Sequence, residues 1–458
     1  MVTTKRVIVL CDGTWCGRET NTRSNINILS RMIGISLPTN SAVCITSPTG
    51  DVCAKYFDGV GLGGDFLDYL WNGAFATKAK KECTEVYKFI VQNFTWNAQV
   101  HTEVWLFGIS RGAYIVRSVG GMINNCGIIK AATNESLINQ IYGIYRSPHA
   151  VDHPSSPEMR KFRQNASYAV RSPIKFMGIF DTVGSRGVPK VNYDTGSGFE
   201  WPEFYDNLVS SAVEKVYHAA AIHDRFWAFQ PCLASRNPEH AGDAALASLE
   251  MRQTWFPGCH YDLARQEFQF LREGGTRLER ILFPILNVFS NTVYPNERLA
   301  DLVLLWILRG IMAEGGETII HKDTEGNVCS MAVAISRLQA GIPTNSEGTG
   351  DVYANILSYL PGGRLFSKLI AWWKNLNKTA YAILFEPVDR VIPDPGIDNG
   401  SVSHVWNEAY DYTVADPDIG GVIESIAGVQ RRRYPSQTYQ NYRTYMMASR
   451  TPAIIARS

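Results

Sequence analysis

The chain has 458 residues, is 45% hydrophobic and carries a formal net charge of +1. This charge balance argues against a nucleic-acid partner, because the short basic cluster Arg431–Arg433 is typical of a solvated face. No uncharged apolar run approaches the ~20 residues that a membrane-spanning helix needs, and the N-terminal MVTTKRVIVLCDGTW indicates a strand and not a signal peptide.

The nine cysteines are scattered and include no Cys-x-x-Cys pair. Their odd number and their spacing argue against a disulfide framework or a zinc site. We therefore expect reduced thiols, no bound metal and a soluble, cytoplasmic protein.

The first 126 residues alternate between β-rich runs and segments of helical periodicity. The predicted strands are Arg6–Leu10, Ser41–Thr46 and Glu103–Phe107, and the predicted helices are Asn25–Ile35, Ala79–Phe94 and Arg111–Asn124. Lys55–Phe57 leads into a Gly-rich loop. Alternation with short links predicts parallel strands with helices on both faces of the sheet.

The pattern changes after Gly127. Residues 131–170 are predicted to be mainly helical, Ile174–Phe180 and Gln253–Phe256 to be strands, and Val213–Ile222 to be a helix. A helical stripe follows from Leu299 to Gly310. No repeat and no Gly-, Pro- or Ser-rich linker separates two domains.

Three residues of complementary chemistry stand where three of the predicted strands end, namely Ser110, Asp181 and His260. Because the carboxyl ends of parallel strands share one edge of a sheet, we expect these side chains to meet. An imidazole can take the proton of a serine hydroxyl, and a carboxylate on the other ring nitrogen fixes the tautomer. The order Ser, Asp, His is that of α/β-hydrolases.

The residues around Ser110 fit a nucleophile on a sharp turn. Gly108 and Gly112 in GISRG let the backbone pass where a Cβ would collide. The amide of Arg111, at a helix N-terminus, is the first candidate for an oxyanion donor, and the Gly13–Thr14 backbone is the second.

Each assignment has a plainer alternative. Asp181 could simply form a turn, and His260 could be a buried structural histidine. His218 and His223 are the rival bases, but they bound a stretch of helical character, His-Ala-Ala-Ala-Ile-His, and neither follows a predicted strand. Asp262 is too near His260 in sequence to be the favoured orienting carboxylate.

The Gly-rich stretch Asp58–Gly64 could cradle a phosphate, but it lacks the Lys-Ser/Thr of a P-loop. A loop at the rim of the cleft is the favoured interpretation. The candidate substrate contacts in the two neighbouring loops are Asp12, Trp15, Asp58 and Gly59.

Six motifs occur here in one order: RVIVLCDGTW, KYFDGVG, VWLFGISRGAYIVRSVGGMI, IKFMGIFDTVGS, VYHAAAIHDRFWAFQP and TWFPGCHYD. Over roughly residues 5 to 265 the chain resembles an α/β-hydrolase domain family whose best-known members are the catalytic domains of type VI secretion phospholipase effectors. The resemblance implies Ser110 as nucleophile, Asp181 as acid, His260 as base, an esterase or phospholipase activity and no cofactor.

The chain departs from the family pattern at two places. Relatives usually continue after the His-x-Asp step into glycines, whereas this chain reads Leu263-Ala264-Arg265. His223 stands where relatives often carry an acidic residue, and we assign it no role.

The C-terminal third contains an apolar stretch with interleaved lysines, Phe366–Phe385. It could be a lid or an interfacial helix that touches lipid, although a helix packed on the core is favoured. We expect a doubly wound, mostly parallel α/β-hydrolase-like core over residues 1–330 and a mostly helical cap over 331–458. A single continuous domain is the alternative.

The predicted function is hydrolysis of carboxylic esters through an acyl-enzyme, with lipid or phospholipid esters as the class that the resemblance implies. No nucleic-acid partner is expected, and contact with a membrane surface is left open. Two alternatives stay open. One is a catalytically impaired binding module, and the other is a hydrolase of a different bond, such as a phosphoester or an amide.

Overall fold

The structure is a computed structural model. It describes the following residues: 2–13, 23–37, 39–46, 51–59, 74–183, 190–192, 198–200, 208–226, 229–236, 249–269, 292–344, 346, 348–353, 372, 374–375, 386–392, 433–442 and 444.

A seven-stranded sheet forms the centre of the described chain. Its strands are β1 (Thr3–Cys11), β2 (Ala42–Ile45), β3 (Val52–Phe57), β4 (Val100–Ile109), β5 (Ile174–Phe180), β6 (Val213–Ala221) and β7 (Glu250–Phe256). The spatial order is β7-β6-β5-β4-β1-β3-β2, and only β2 runs antiparallel to its neighbour. The predicted doubly wound, mostly parallel α/β-hydrolase-like sheet is confirmed.

Helices cover both faces of this sheet. They are α1 (Asn25–Ile33), α2 (Ala74–Asn93), α3 (Arg111–Cys126), α4 (Glu135–Tyr145), α5 (Pro157–Ala166), α6 (His260–Ala264), α7 (Glu297–Ala313) and α8 (Met331–Gly341). Side chains cap several of them: Ser24 accepts the Asn27 amide before α1, and Asn296 accepts the Leu299 amide before α7.

The core has two layers because successive side chains of a strand point to opposite faces. Val7 and Val9 of β1 pack with α2, α3 and α4, whereas Ile8 and Leu10 pack with α1, α7 and α8. All four side chains are fully buried. Burial on both faces explains why β1 reads as a continuous apolar run without alternation.

The helix predicted at Val213–Ile222 is wrong, since these residues form strand β6 between β5 and β7. The run Ala219-Ala220-Ala221 favours a helix by intrinsic propensity. In the fold these alanines are fully buried in the middle of the sheet, where packing on both faces overrides that propensity.

The expectation that every thiol is reduced is also wrong. Cys44 on β2 and Cys53 on β3 form a disulfide with 4.1 Å between their Cα atoms. The antiparallel register of the two strands places them directly opposite each other. A search for closely spaced cysteines cannot find such a pair, because the strand pairing and not the sequence spacing brings the two residues together.

Described segments beyond residue 330 pack against the same core. Met331 and Leu338 of α8 and Ile392 belong to the layer that covers α1 and α7. Within the part of the chain that the structure describes, no helix is long and apolar enough to cross a membrane. Most of the predicted cap, including most of Phe366–Phe385, lies outside the described residues.

The order in which the chain adds strands to the sheet reverses between β1 and β4. From β1 the chain continues to β3 on one side, and it then returns to β4 on the other side of β1. In open α/β sheets such a reversal leaves a crevice at the carboxyl ends of the two strands. Asp12 follows β1 and Ser110 follows β4, so both stand at this crevice.

Candidate active site

Ser110 lies on a sharp turn between β4 and α3. Its φ of 56° is unusual for a residue with a side chain, and the Ser110 amide donates to the Phe180 carbonyl at 2.9 Å. A Cβ built on Gly108 would lie 2.5 Å from the Gly112 carbonyl oxygen. The chain therefore requires glycine beside the serine, as the sequence predicts for a turn of this type.

The structure brings the three predicted side chains together. His260 Nε2 lies 2.8 Å from Ser110 Oγ, and His260 Nδ1 lies 2.6 Å from Asp181 Oδ2. All three side chains are buried. An ionised carboxylate only accepts, so Nδ1 carries the proton and Nε2 accepts from the serine hydroxyl.

Asp181 is held by backbone groups and by charge. Its φ of 39° directs the chain out of β5, and its Oδ1 accepts the Ala221 amide at 2.9 Å. Burial on its own would raise the pKa of Asp181. The Arg390 guanidinium and the His260 hydrogen bond outweigh that effect and hold the pKa well below its usual range.

Arg390 is a site residue that sequence reasoning misses. Its guanidinium donates to both oxygens of Asp181, Nη1 to Oδ1 at 2.7 Å and Nη2 to Oδ2 at 2.9 Å. It comes 209 residues later in the chain, in a stretch without a motif. No sequence signal points from Glu386-Pro387-Val388-Asp389-Arg390 to the strand end at Asp181.

Asp224 is a second missed residue. Its Oδ2 accepts the His260 amide at 2.9 Å, and burial raises its pKa despite the nearby Arg390 and His260. A signal exists here, since Asp224 follows β6 as Asp181 follows β5. Because Val213–Ile222 is predicted to be a helix, Asp224 is not recognised from the sequence as a residue that follows a strand.

Asp262 holds the turn that carries His260. It accepts the Cys259 amide at 2.7 Å and the Asn296 amide at 2.8 Å, and it also accepts the Tyr434 hydroxyl at 3.1 Å. These bonds explain its capping place three residues after Cys259. In the structure the carboxylate that bonds the His260 ring is that of Asp181.

The chain carries Leu263-Ala264-Arg265 where relatives carry glycines, and the His260 imidazole nevertheless lies in hydrogen-bonding range of Ser110. Arg265 takes the left-handed conformation at the end of α6, with a φ of 54°. Its guanidinium donates to Asn25 at 3.2 Å and pairs with Asp301. These contacts tie the end of α6 to α1 and α7, at a backbone position that favours glycine.

The two rival histidines have structural partners. His218 Nε2 accepts the Thr182 amide at 3.2 Å, and its Nδ1 bonds Gln253 at 2.8 Å. His223 Nδ1 accepts the Gly258 amide at 2.9 Å. Burial lowers the pKa of His218 to about 4 and that of His223 to about 3, so both rings are neutral near pH 7.

Hydrogen bonds within the protein hold the turn after β1. The Gly13 amide, a predicted oxyanion donor, donates to the Asp12 carboxylate at 2.8 Å. Asp12 is buried and also accepts the Ser24 and Tyr56 hydroxyls, each at 2.6 Å. Thus Gly13 has an intramolecular acceptor, and the Asp12 carboxylate is engaged by the protein itself.

The remaining predicted site residues are only partly visible. Thr14, Trp15 and the end of the Gly-rich stretch after Gly59 lie outside the described residues. Asp58 and Gly59 follow β3, at the edge of the sheet that also carries Ser110. Across the described chain no cluster of His, Cys, Asp and Glu has the arrangement of a metal site.

An aromatic side chain borders the base. The ring centroid of Phe229 lies 4.5 Å from that of His260, and Phe229 in turn contacts Phe226 and Tyr353. A hydroxyl, an imidazole and an ionised carboxylate in series can activate the hydroxyl as a nucleophile, because the imidazole takes its proton as the hydroxyl attacks.

A search of curated proteins finds a 25% identical stretch of 164 residues in an uncharacterised protein of Saccharomyces cerevisiae. This stretch covers 35% of the present chain and 22% of the yeast protein, so the match spans about a fifth of that relative.

Solved structures with a similar arrangement include the Tle1 effector bound to the VgrG spike from the type VI secretion system, at 14% identity and a TM-score of 0.37, with 86% of this chain and 82% of that chain covered. A lipase/esterase from Lactobacillus plantarum matches at 12% identity and a TM-score of 0.25, with 69% of this chain and 87% of that chain covered.

A family model matches residues 5–310, which is more than half of the chain. Its description is the catalytic domain of Tle1-like phospholipase effectors of the type VI secretion system. The matched range contains most of β1, all of β2 to β7 and the three residues Ser110, Asp181 and His260. The chain belongs to the family of Tle1-like phospholipase effector catalytic domains.

Proposed function

We propose that this protein is a serine hydrolase that cleaves carboxylic esters through an acyl-enzyme, with lipid or phospholipid esters as its substrate class. The observation that carries the proposal is the continuous chain of hydrogen bonds from Ser110 Oγ through the His260 ring to Asp181. The family supports the substrate class, because its model describes phospholipase effectors.

The first half of the reaction forms the acyl-enzyme. Ser110 Oγ attacks the ester carbonyl carbon while His260 Nε2 takes the hydroxyl proton. The tetrahedral intermediate collapses when His260 returns that proton to the leaving alkoxide, which departs as an alcohol. Asp181 stays ionised and holds the imidazolium in place.

The second half releases the acid. His260 Nε2 takes a proton from water, the hydroxide adds to the acyl carbon, and the C–O bond to Ser110 breaks. His260 then gives the proton back to Ser110 Oγ. Each ester thus consumes one water, and the protein returns to its starting state.

The oxyanion needs donors beside the nucleophile. We assign the first donor to the amide of Arg111, which follows Ser110 at the start of α3 and is favoured by the helix N-terminus. We assign the second donor to the turn after β1. Since the Gly13 amide is bonded to Asp12, the Thr14 amide is the candidate there.

A fluorophosphonate probe tests the nucleophile. We expect it to label the wild-type protein, with the adduct mapped to Ser110, and to leave Ser110→Ala unlabelled. Ser136→Ala removes an exposed hydroxyl on α4 and serves as the matched control that keeps labelling. Equal labelling of Ser110→Ala and wild type would reject the proposed nucleophile, and no labelling of either would favour a binding module.

The bond is tested with a substrate panel. Hydrolysis of p-nitrophenyl esters and of phosphatidylcholine in mixed micelles, lost in Ser110→Ala, is the expected result. Cleavage of phosphoesters or amides with ester hydrolysis absent would instead assign the same site to another bond.

A further inference from the structure

The guanidinium of Arg390 forms a two-pronged ion pair with Asp181. Nη1 donates to Oδ1 at 2.7 Å, and Nη2 donates to Oδ2 at 2.9 Å. Two bonds between a planar guanidinium and a planar carboxylate fix both the distance and the plane of the carboxylate. The plane matters here because Oδ2 also accepts from His260 Nδ1.

Arg390 is anchored through both terminal nitrogens of its guanidinium and through its backbone carbonyl. Nη1 also donates to the Ala221 carbonyl at 2.6 Å, and Nη2 also donates to the Phe229 carbonyl. The backbone carbonyl of Arg390 accepts the Thr438 hydroxyl at 2.8 Å. The guanidinium therefore joins the ends of β5 and β6 to the segment that borders His260.

Around Arg390 the charged side chain is buried and two neighbouring valines are exposed, the opposite of the usual pattern. Arg390 is 1% exposed, whereas Val388 is 48% exposed and Val391 is 77% exposed. Arginine is seldom fully buried unless it is paired, and valine is usually inside. Arg390 is therefore held in the core by its ion pair with Asp181 and not by apolar packing.

We propose that Arg390 is a positioning residue for ester hydrolysis: its guanidinium keeps Asp181 ionised and holds the carboxylate plane for the His260 ring. This role rests on the proposed function, because it acts through the bond between Asp181 and His260. Arg390 contacts no reacting atom, so its effect on the reaction passes through Asp181.

The other titratable groups around the pair come from neighbouring elements. His218 lies on β6, Asp224 follows β6, and Cys259 precedes α6. Burial keeps His218 neutral near pH 7, and burial raises the pKa of both Asp224 and Cys259. Arg390 is thus the permanent cation that contacts Asp181 among the described residues.

Removal of the Arg390 cation should raise the pKa of Asp181. Burial raises the pKa of Asp181 and Arg390 lowers it, so Arg390→Gln leaves a carboxyl group that binds its proton at higher pH. Activity requires the ionised form. Asp181 and His260 share a hydrogen bond and titrate as a pair, and without the cation this pair takes up its inactivating proton at higher pH. The acidic limb of the pH profile of kcat/KM is therefore expected to move to higher pH in Arg390→Gln.

The test compares Arg390→Gln with Arg390→Lys on a soluble ester. We expect Arg390→Gln to lower kcat about 10²-fold with little change in KM, and to move the acidic limb up by about one pH unit. Arg390→Lys keeps the charge and loses the planar fork, so it should lose less activity and keep the acidic limb. A wild-type rate and an unmoved limb in Arg390→Gln overturn the proposal.

A double variant guards against loss of folding. Asp181→Asn with Arg390→Gln removes both charges of the ion pair, so neither is left without the other. If Arg390 acts through Asp181, the double variant is as slow as Asp181→Asn alone, whereas losses that multiply overturn the proposal. The proposed function fails separately, when Ser110→Ala keeps full activity. An inactive Ser110→Ala beside a fully active Arg390→Gln rejects only the role of Arg390.

Discussion

The backbone of Gly112 lies against the carbonyl group of Asp12, where the start of α3 meets the end of β1. A Cβ on Gly112 would lie 2.6 Å from the Asp12 carbonyl oxygen and would overlap the Cys11 carbonyl. Both neighbours are backbone atoms that cannot turn away as a side chain can. We expect Gly112→Ala to lower the free energy of unfolding by about 3 kcal/mol or more.

Gly143→Ala is the matched control for this substitution. Gly143 also lies in a helix, α4, but an added Cβ would meet nothing within 4 Å. The better helix propensity of alanine should stabilise this variant by about 0.5–1 kcal/mol. Chemical denaturation of the two variants decides the point, and equal stabilities would contradict the close contact at Gly112.

Asp181→Asn should lower kcat about 10⁴-fold, as loss of the orienting carboxylate does in other triads. An amide in place of the carboxylate offers Nδ1 of His260 the wrong partner and favours the wrong tautomer. KM should change little, because the carboxylate contacts the imidazole and not the substrate. Steady-state kinetics on a soluble ester measures both parameters.

Asp262→Asn separates orientation from capping. Asp262 accepts the amides of Cys259 and Asn296 and lies outside the Ser110–His260–Asp181 chain of bonds. We expect it to keep kcat within about tenfold and to lose about 1 kcal/mol of stability. A loss of kcat as large as that of Asp181→Asn would assign the orienting role to the wrong carboxylate.

Part of this site is predictable because its signals are local. Ser110, Asp181 and His260 each follow an apolar strand, and the parallel topology brings strand ends to one edge. The spacing of Gly108 and Gly112 around Ser110 predicts the sharp turn. No alignment is needed for this step, since the chemistry of the three side chains limits the choice.

The rest depends on contacts distant in sequence. Arg390 reaches Asp181 across 209 positions, and a lone arginine beside exposed valines carries no periodic signal. The alanines of β6 lead to the wrong prediction of a helix, because packing in the sheet and not intrinsic propensity decides their conformation. The Cys44–Cys53 pair is set by strand register, which single-sequence spacing does not reveal.

Contact with a lipid surface stays a prediction that substitution can test. Trp372 is 60% exposed, and Lys374 beside it is also exposed, whereas Trp373 lies outside the described residues. We expect Trp372→Ala with Trp373→Ala to weaken vesicle binding about tenfold or more while hydrolysis of a soluble ester persists.

Tyr294→Ala is the control for this surface, since Tyr294 is an aromatic side chain that is 53% exposed elsewhere on the protein. Sedimentation with phosphatidylcholine vesicles measures the binding. Unchanged binding by the tryptophan variant, or an equal loss for Tyr294→Ala, would remove the support for an interfacial helix.

Asp12 makes stability depend on pH in a window set by its burial. Burial raises its pKa to about 6, although Ser24, Tyr56 and Gly13 donate hydrogen bonds to it. An unfolded aspartate has a pKa of about 4, so between pH ~4 and ~6 the folded state holds a proton that the unfolded chain has lost. Its contribution to the free energy of unfolding therefore falls as pH rises through this window.

Asp12→Asn removes this titration. The stability of the variant minus that of the wild type should rise between pH ~4 and ~6 and then level off, by at most about 3 kcal/mol. For Asp262→Asn the rise should continue to higher pH, because burial raises the pKa of Asp262 to about 7. Urea denaturation at a series of pH values gives both curves. A difference for Asp12→Asn that is constant with pH would mean that Asp12 titrates at its ordinary pKa, and one that shrinks as pH rises would mean a lowered pKa. Either result would contradict a pKa raised by burial.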